Sequence, residues 1–253
     1  INNASDITKK DYKAFTHNAK SIVAHAVLDL DSIIKQNQSI TTNVQANVER
    51  VKGIISNDVE NAALTCLKLS KHLLSLKAEY MSYDILHNNA PSMQPMKTNV
   101  RNVIITILHM FYDEFKKKNI IIKVEEWRKA SLIDYNTFLM ATYYIIENAL
   151  KYCMDNSCID VKFVVEKKDL RISFKMMSLF IEHEDEKHLF EEGYSGHFAI
   201  KNNLNGHGIG MFNAYKLIEL NDGTLTVEAG EIDSYKGDTP YAKNIFCITL
   251  PFV

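Results

Sequence analysis

From Val44 to Tyr83 apolar side chains recur in steps that alternate between three and four, and this regularity restricts the chain more than any other feature. The series runs Val44, Val48, Val51, Ile55, Val59, Ala62, Cys66, Leu69, Leu73, Leu76, Tyr80 and Tyr83, with one extra step of four around Ile55. Such spacing holds a seam on one side of an α-helix of about twelve turns, and the seam wants a coiled-coil-like partner. The first ninety residues contain one glycine, Gly53, and no proline, which suits long helices because both residues break them. A second stripe, Phe15, Ile22, Ala26, Leu30 and Ile33, predicts a helix from Asp6 to Gln36, and the polar run Asn37 to Asn43 is its turn. Two antiparallel helices leave one side open. A second copy would close it into a four-helix bundle, so a homodimer through the N-terminal helices is expected.

Length and composition set the remaining bounds. The 253 residues are 46% apolar and carry a net charge of -2, enough for two domains and without the basic field that nucleic acid or an anionic membrane surface would require. No apolar run reaches membrane-spanning length, so no direct membrane contact is expected of this fragment. Cys66, Cys153, Cys158 and Cys247 are too scattered for a disulfide framework or a zinc site and read as reduced thiols of a cytoplasmic protein. The chain opens on Ile1 rather than methionine. It reads as a cytoplasmic piece of something longer, for which a membrane anchor remains open.

The texture changes after Asn88–Pro95, which reads as a linker between a helical domain at 1–90 and a second domain at 91–253. Helices are predicted over Val100–Lys117, Tyr135–Tyr152 and Ile209–Leu220. Strands are predicted over Ile120–Glu125, Ala130–Ile133, Ile159–Val165, Leu170–Met176, Thr224–Glu228 and Asn244–Leu250. Helices on one side of a mixed sheet make an α/β sandwich. The fold class is α+β, an antiparallel helical hairpin followed by that sandwich.

Three segments in the second domain carry chemistry. They are Ile145-Ile146-Glu147-Asn148-Ala149-Leu150-Lys151-Tyr152, then Leu189 to Gly196, then Gly206-His207-Gly208-Ile209-Gly210-Met211 opening a helix. In order and spacing they resemble the N-box, the F-box region and the second glycine box of sensor histidine kinases. These belong to the GHKL-type ATP-binding domain, and the resemblance covers nearly all of Lys97 to Val253. It implies ATP and Mg²⁺ as cofactors. Asn148 offers a neutral amide oxygen, a suitable hard ligand for Mg²⁺ already neutralised by phosphates. Lys151 lies three residues on, along the same helical face, and can reach a phosphate. Gly206, Gly208 and Gly210 let backbone pass close to phosphates, with amides at a helix N-terminus around Ile209. The resemblance further implies that Tyr152 lines the nucleotide pocket and that Gly196 to Asn205 form a lid, on which Lys201 is a solvated lysine or a contact to the terminal phosphate.

In the first domain Phe15-Thr16-His17-Asn18-Ala19-Lys20-Ser21-Ile22 resembles the H-box of the same family, which implies His17 as phosphoacceptor. Imidazole suits the task because its pKa of about 6.5 leaves a nitrogen lone pair free for in-line attack. Asn18 holds the slot where many of these kinases place an acid to take the proton, and an amide is not a useful base. Lys20 is placed to steady the phosphoryl group, and His25 is a rival acceptor.

Two departures stand out. Tyr144 occupies a slot that the family fills with asparagine or an acid. The first glycine box, whose aspartate accepts from the adenine amino group, falls on Met176, or on Met177 if the register slips by one. A thioether accepts hydrogen bonds poorly, and an unmet buried amino group costs about 1–3 kcal/mol. Two functions follow. In one, a kinase phosphorylates His17 with ATP and passes the phosphoryl group to a response-regulator receiver domain. In the other, a degenerate kinase serves as a histidine phosphotransferase or scaffold without binding ATP.

Overall fold

A computed structural model describes residues 2–34, 42–87, 91–204 and 206–252, with side chains from Tyr12 onward. The chain divides into two compact units, Ile1–Pro91 and Ser92–Val253.

The first unit is a helical hairpin. Helix α1 spans Asn2–Ile34, beginning four residues earlier than predicted, and most of the predicted turn (Asn37–Thr41) lies outside the described residues. The single long helix expected after it is two helices, α2 at Val44–Asn57 and α3 at Val59–Leu86. They part at Asp58, whose backbone leaves the helical region and whose carboxylate caps α3 by accepting from Asn61 N at 3.0 Å. The break coincides with the extra step of four in the seam, so the phase slip is resolved by ending one helix and starting another.

Helix α1 runs antiparallel to α3. Phe15 packs its ring 4.9 Å from Tyr80 and 5.3 Å from Tyr83, and Asp29, fourteen residues on, bonds His72 at 2.8 Å. The residues that α3 buries are Ala62, Thr65, Leu74, Ala78 and Ser82, mostly small, which lets the backbones approach. The seam meets this stripe at Ala62, and its Tyr80 and Tyr83 reach Phe15, but much of it stays outside. Val44, Val48, Ile55, Val59, Leu73 and Tyr80 are exposed in the protomer, and α2 buries none of its residues.

The second unit is the α/β sandwich. A six-stranded sheet is ordered β2 (Ile121–Val124), β4 (Cys158–Glu166), β5 (Asp169–Leu179), β8 (Thr239–Pro251) and β6 (Thr224–Glu228), with β7 (Ile232–Lys236) also pairing β8. Only β2 and β4 are parallel. A two-stranded ribbon joins β1 (Pro95–Thr98), which falls in the predicted linker, to β3 (Ser131–Asp134). Helices α4 (Val100–Met110), α6 (Tyr135–Tyr152) and α9 (Gly210–Glu219) cover one face. The helix predicted to Lys117 ends at Phe111, after which the short α5 (Tyr112–Lys117) starts. Inward residues alternate along the strands as a one-sided sheet demands: Ile159, Val161 and Phe163 on β4, then Leu170, Ile172, Phe174 and Met176 on β5. The opposite face is polar, with Asp160, Lys162, Glu166, Arg171 and Lys175 around a shallow depression.

Helix α6 is buried at every position from Thr137 to Ile146, so packing fixes it on all sides. Its start is fixed by hydrogen bonds. Asp134 caps it, accepting from Thr137 N at 2.8 Å and from Gln94 N at 2.9 Å. Asp134 N donates to Asn221 Oδ1, and Asn221 Nδ2 reaches both Thr137 Oγ1 and Leu217 O. Burial pushes the Asp134 carboxyl up, but the amides and hydroxyl that it accepts from hold it below the usual range. Its stabilising contribution is therefore present above pH ~3.9, where the unfolded chain ionises, and is lost as the pH falls through the depressed value. Replacing Asp134 by Ala should cost about 2 kcal/mol, a lost cap plus orphaned buried donors, measured as a lowered urea midpoint at pH 7. The difference between wild type and variant should shrink in acid.

Candidate nucleotide site

Helices α6 and α9 run antiparallel, joined at the Asp134–Asn221 end. At the other end α6 presents Asn148 and Lys151, and the loop before α9 presents Gly206 to Gly210. A Cβ placed on Gly206 would lie 3.1 Å from Lys151 Nζ, and one on Gly210 would lie 3.3 Å from Asn148 Nδ2. The lysine, the amide and the glycine loop therefore meet across one narrow gap, which a side chain at either glycine would crowd. Burial lowers the pKa of Lys151, with Glu147 opposing that shift. Among the described residues no carboxylate forms an ion pair with it; its ammonium lies 5.1 Å from the Tyr152 ring centroid. A partly dehydrated cation facing backbone is a site that gains from an anion. Helix α9 adds to this, since no side chain caps its N-terminus at Ile209 and the first-turn amides are left for a ligand.

Gly208 shapes the loop. Its φ is +69°, and a Cβ there would overlap the carbonyl of Gly193, whose own φ is +78°. The two glycines are joined by Gly193 N donating to Gly208 O at 3.2 Å. The segment between them, which contains the expected lid of Gly196 to Asn205, thus leaves and returns at one point. It contains the short helix α8 (His197–Lys201), unpredicted because five residues show no periodicity. Asn205 lies outside the described residues. Lys201 is exposed, with its ammonium 5.5 Å from the Phe198 ring centroid.

Sequence reasoning missed Asp185, in the four-residue helix α7 (His183–Glu186). It is buried, accepting from the Tyr194 hydroxyl and from His197 N at 3.0 Å, and so ties down the start of the lid. Its hydrogen bond to Tyr194 is the main cause that pushes that phenol up to about 12. Within the acidic run Glu182 to Glu186 no feature of the sequence separates Asp185 from its solvated neighbours.

The base end differs from expectation in form. Strand β5 does not stop at Met176 but continues to Leu179, pairing Met176 with Asn244 and Met177 with Lys243. Both candidate positions therefore lie on a paired strand. Met176 is buried towards the helices, and Met177 packs with Tyr152, Met154 and Leu204 against Leu179, Ala199 and Tyr241. The Tyr152 hydroxyl donates to Leu204 O at 3.4 Å. Tyr144 is buried, its ring 3.9 Å from a Cβ on Gly210.

On the first unit, His17 is exposed on α1. Asn18 points between the helices and donates to Glu79 Oε2 at 3.2 Å. His25 is exposed too, its Nδ1 bonded to Ser21 O at 2.8 Å. Among the described residues no group of three or more His, Cys, Asp or Glu side chains could hold a metal ion. A Mg²⁺ ion held by Asn148 and phosphate oxygens needs no such group.

Replacing Gly208 by Ala should force the loop away from Gly193. Mg-ATP affinity should fall at least about tenfold in titration calorimetry, because backbone at a positive φ and in contact has no room for a Cβ.

Residues 134–253 match the family described as histidine kinase-, DNA gyrase B- and HSP90-like ATPase. The signal transduction histidine-protein kinase ArlS of Staphylococcus haemolyticus is 28% identical over 103 residues, 41% of this chain and 22% of that protein. ArlS of Staphylococcus aureus is 27% identical over 121 residues, 48% of this chain and 25% of that protein. The matches thus span about a quarter of these relatives' length. Among solved structures, Acinetobacter baumannii histidine kinase AdeS superimposes with a TM-score of 0.51 at 13% identity, covering 93% of this chain and 98% of that one. ShkA, solved in complex with AMPPNP, gives 0.57 at 14% identity over 97% of this chain and 46% of its own. ThkA, solved with the response regulator TrrA, gives 0.52 at 12% identity over 100% of this chain and 64% of its own. Residues 134–253 are accordingly similar to the histidine kinase-, DNA gyrase B- and HSP90-like ATPase family, and the chain shares the fold of these solved histidine kinases.

Proposed function

We propose that this chain is the catalytic region of an ATP-dependent protein histidine kinase that phosphorylates His17 and passes the phosphoryl group to a response-regulator receiver domain. The observation that carries the reading is the meeting of Lys151 and Asn148 with the Gly206–Gly210 backbone at the uncapped start of α9. Lys151 and the α9 amides hold the phosphates. Asn148 would hold Mg²⁺, which when bound would neutralise charge on the transferring group. Phosphoryl transfer needs positioning more than covalent chemistry. An imidazole nitrogen of His17 forms the N–P bond, the bond from the γ-phosphorus to the bridging oxygen breaks, ADP leaves, and the imidazole proton goes to solvent. Asn18 is held by Glu79 and offers no base, so transfer is slow.

The exposed seam supports a homodimer. Val59, Leu73 and Tyr80 on α3 and Val23, Val27 and Leu28 on α1 are all exposed, a stripe that a second copy would cover as a four-helix bundle. The free thiols and the use of ATP suit the cytoplasmic side of a longer protein. ThkA was solved with a response regulator and ShkA with AMPPNP, which is in keeping with the partner and nucleotide assigned here. The apolar packing at Met177 and Leu204 is what favours the second reading, a phosphotransferase or scaffold charged by another kinase.

Incubation with γ-labelled ATP and Mg²⁺ should yield an acid-labile, alkali-stable label that His17→Ala abolishes and Lys151→Ala lowers at least about tenfold, the loss of a charge-assisted phosphate contact. Absence of label in the wild type, together with labelling by a second kinase, would hand the case to the phosphotransferase. Leu73→Glu should convert a dimer into a monomer in sedimentation equilibrium, since the charge would sit in the covered seam.

A further inference from the structure

The groups assigned to phosphate leave a nucleotide's base one place to go. Beside Lys151, on the same helix, Tyr152 opens the cluster that contains Met154, Met177 and Leu204, with Tyr241 behind them. Lys151 lies against the Tyr152 ring, so the phosphate gap and this cluster adjoin. None of these side chains carries a carboxylate or a carbonyl. Asn244 on β8 has both amide hydrogens in use, donating to Ser178 Oγ and Leu179 O, and its oxygen accepts from Gly230 N. The Tyr152 hydroxyl is bonded to the Leu204 carbonyl, so the lid closes the cluster with an apolar side chain that a base would displace.

We infer, resting on the nucleotide-binding reading above, that this site takes purine nucleoside triphosphates with little discrimination between 6-amino and 6-oxo bases. The triphosphate supplies the charge-assisted contacts. The base supplies area, stacking on an aromatic ring and on polarizable sulfur. A pocket that is built to hydrogen-bond a substituent rejects the wrong one by about 10⁴-fold or more, whereas an apolar pocket separates near-isosteric ligands only weakly. Tyr152, Met154 and Met177 form a pocket of the second kind. They are the specificity-determining residues by virtue of what they do not bond.

The test is competition of ATP, GTP and ITP, each with Mg²⁺, against trinitrophenyl-ADP bound to the whole chain. The three dissociation constants should agree within about tenfold, as expected for an apolar pocket. Met177→Asp, at a half-buried position, should shift the ratio at least about fivefold towards ATP by offering its amino group an acceptor. A wild-type preference for ATP greater than about tenfold would overturn the inference and leave the kinase reading intact. Failure of all three to compete, with no nucleotide bound, would overturn both.

Discussion

The hydrogen bonds around Asp134 and Asn221 set the geometry on which the rest of the second unit depends. Asp134 starts α6 and Asn221 follows the end of α9; the Asn221 side chain accepts from Asp134 N and donates to the Thr137 hydroxyl and the Leu217 carbonyl. Both residues are buried, where an unmet partner is costly. With one end of the antiparallel pair fixed, the other is free to stay open. From Thr137 to Asn148 the helix rises about 16 Å, carrying Asn148 and Lys151 to the height at which α9 begins. A helix start without a side-chain cap is tolerated there because a ligand can complete it.

The two ends of the site rest on different physics. At the phosphate end the protein supplies a partly buried cation, an amide and oriented backbone dipoles, all costly to assemble without an anion. At the base end it supplies methionine and tyrosine, which pack on each other and on Leu204 when nothing is bound. On the function proposed above, binding would draw its free energy chiefly from charge, and the segment held at Asp185 and at the Gly193–Gly208 contact would give up apolar packing to admit a base.

Much of this was legible in the sequence, because periodicity and punctuation agreed. Helix α6 combines a dense apolar run with an aspartate cap, and α9 follows three glycines; both lie within a residue of where their patterns place them. The stutter at Ile55 was visible as spacing, yet only the carboxylate geometry of Asp58 turns it into a break. Strands β1 and β7 escaped for opposite reasons. Pro95 opens β1 inside a turn-rich stretch, and β7 is an edge strand with four of five residues exposed, so no alternation marks it. Asp185 escaped because burial of one acid among several depends on where Tyr194 and His197 come to lie.

The seam shows how far such reading reaches. Apolar residues at steps of three and four predict that a stripe will be covered, but not by what. In the protomer α1 packs on the stripe of Ala62, Thr65, Ala78 and Ser82, whose small side chains permit close approach of backbones. The larger residues Val59, Leu73 and Tyr80 are left outside. That division suits a bundle assembled in two steps. Small residues close the hairpin within a chain, where connection through the turn makes modest burial sufficient. In the homodimer proposed above the large residues would serve association between chains, where lost translational and rotational freedom demands more apolar area.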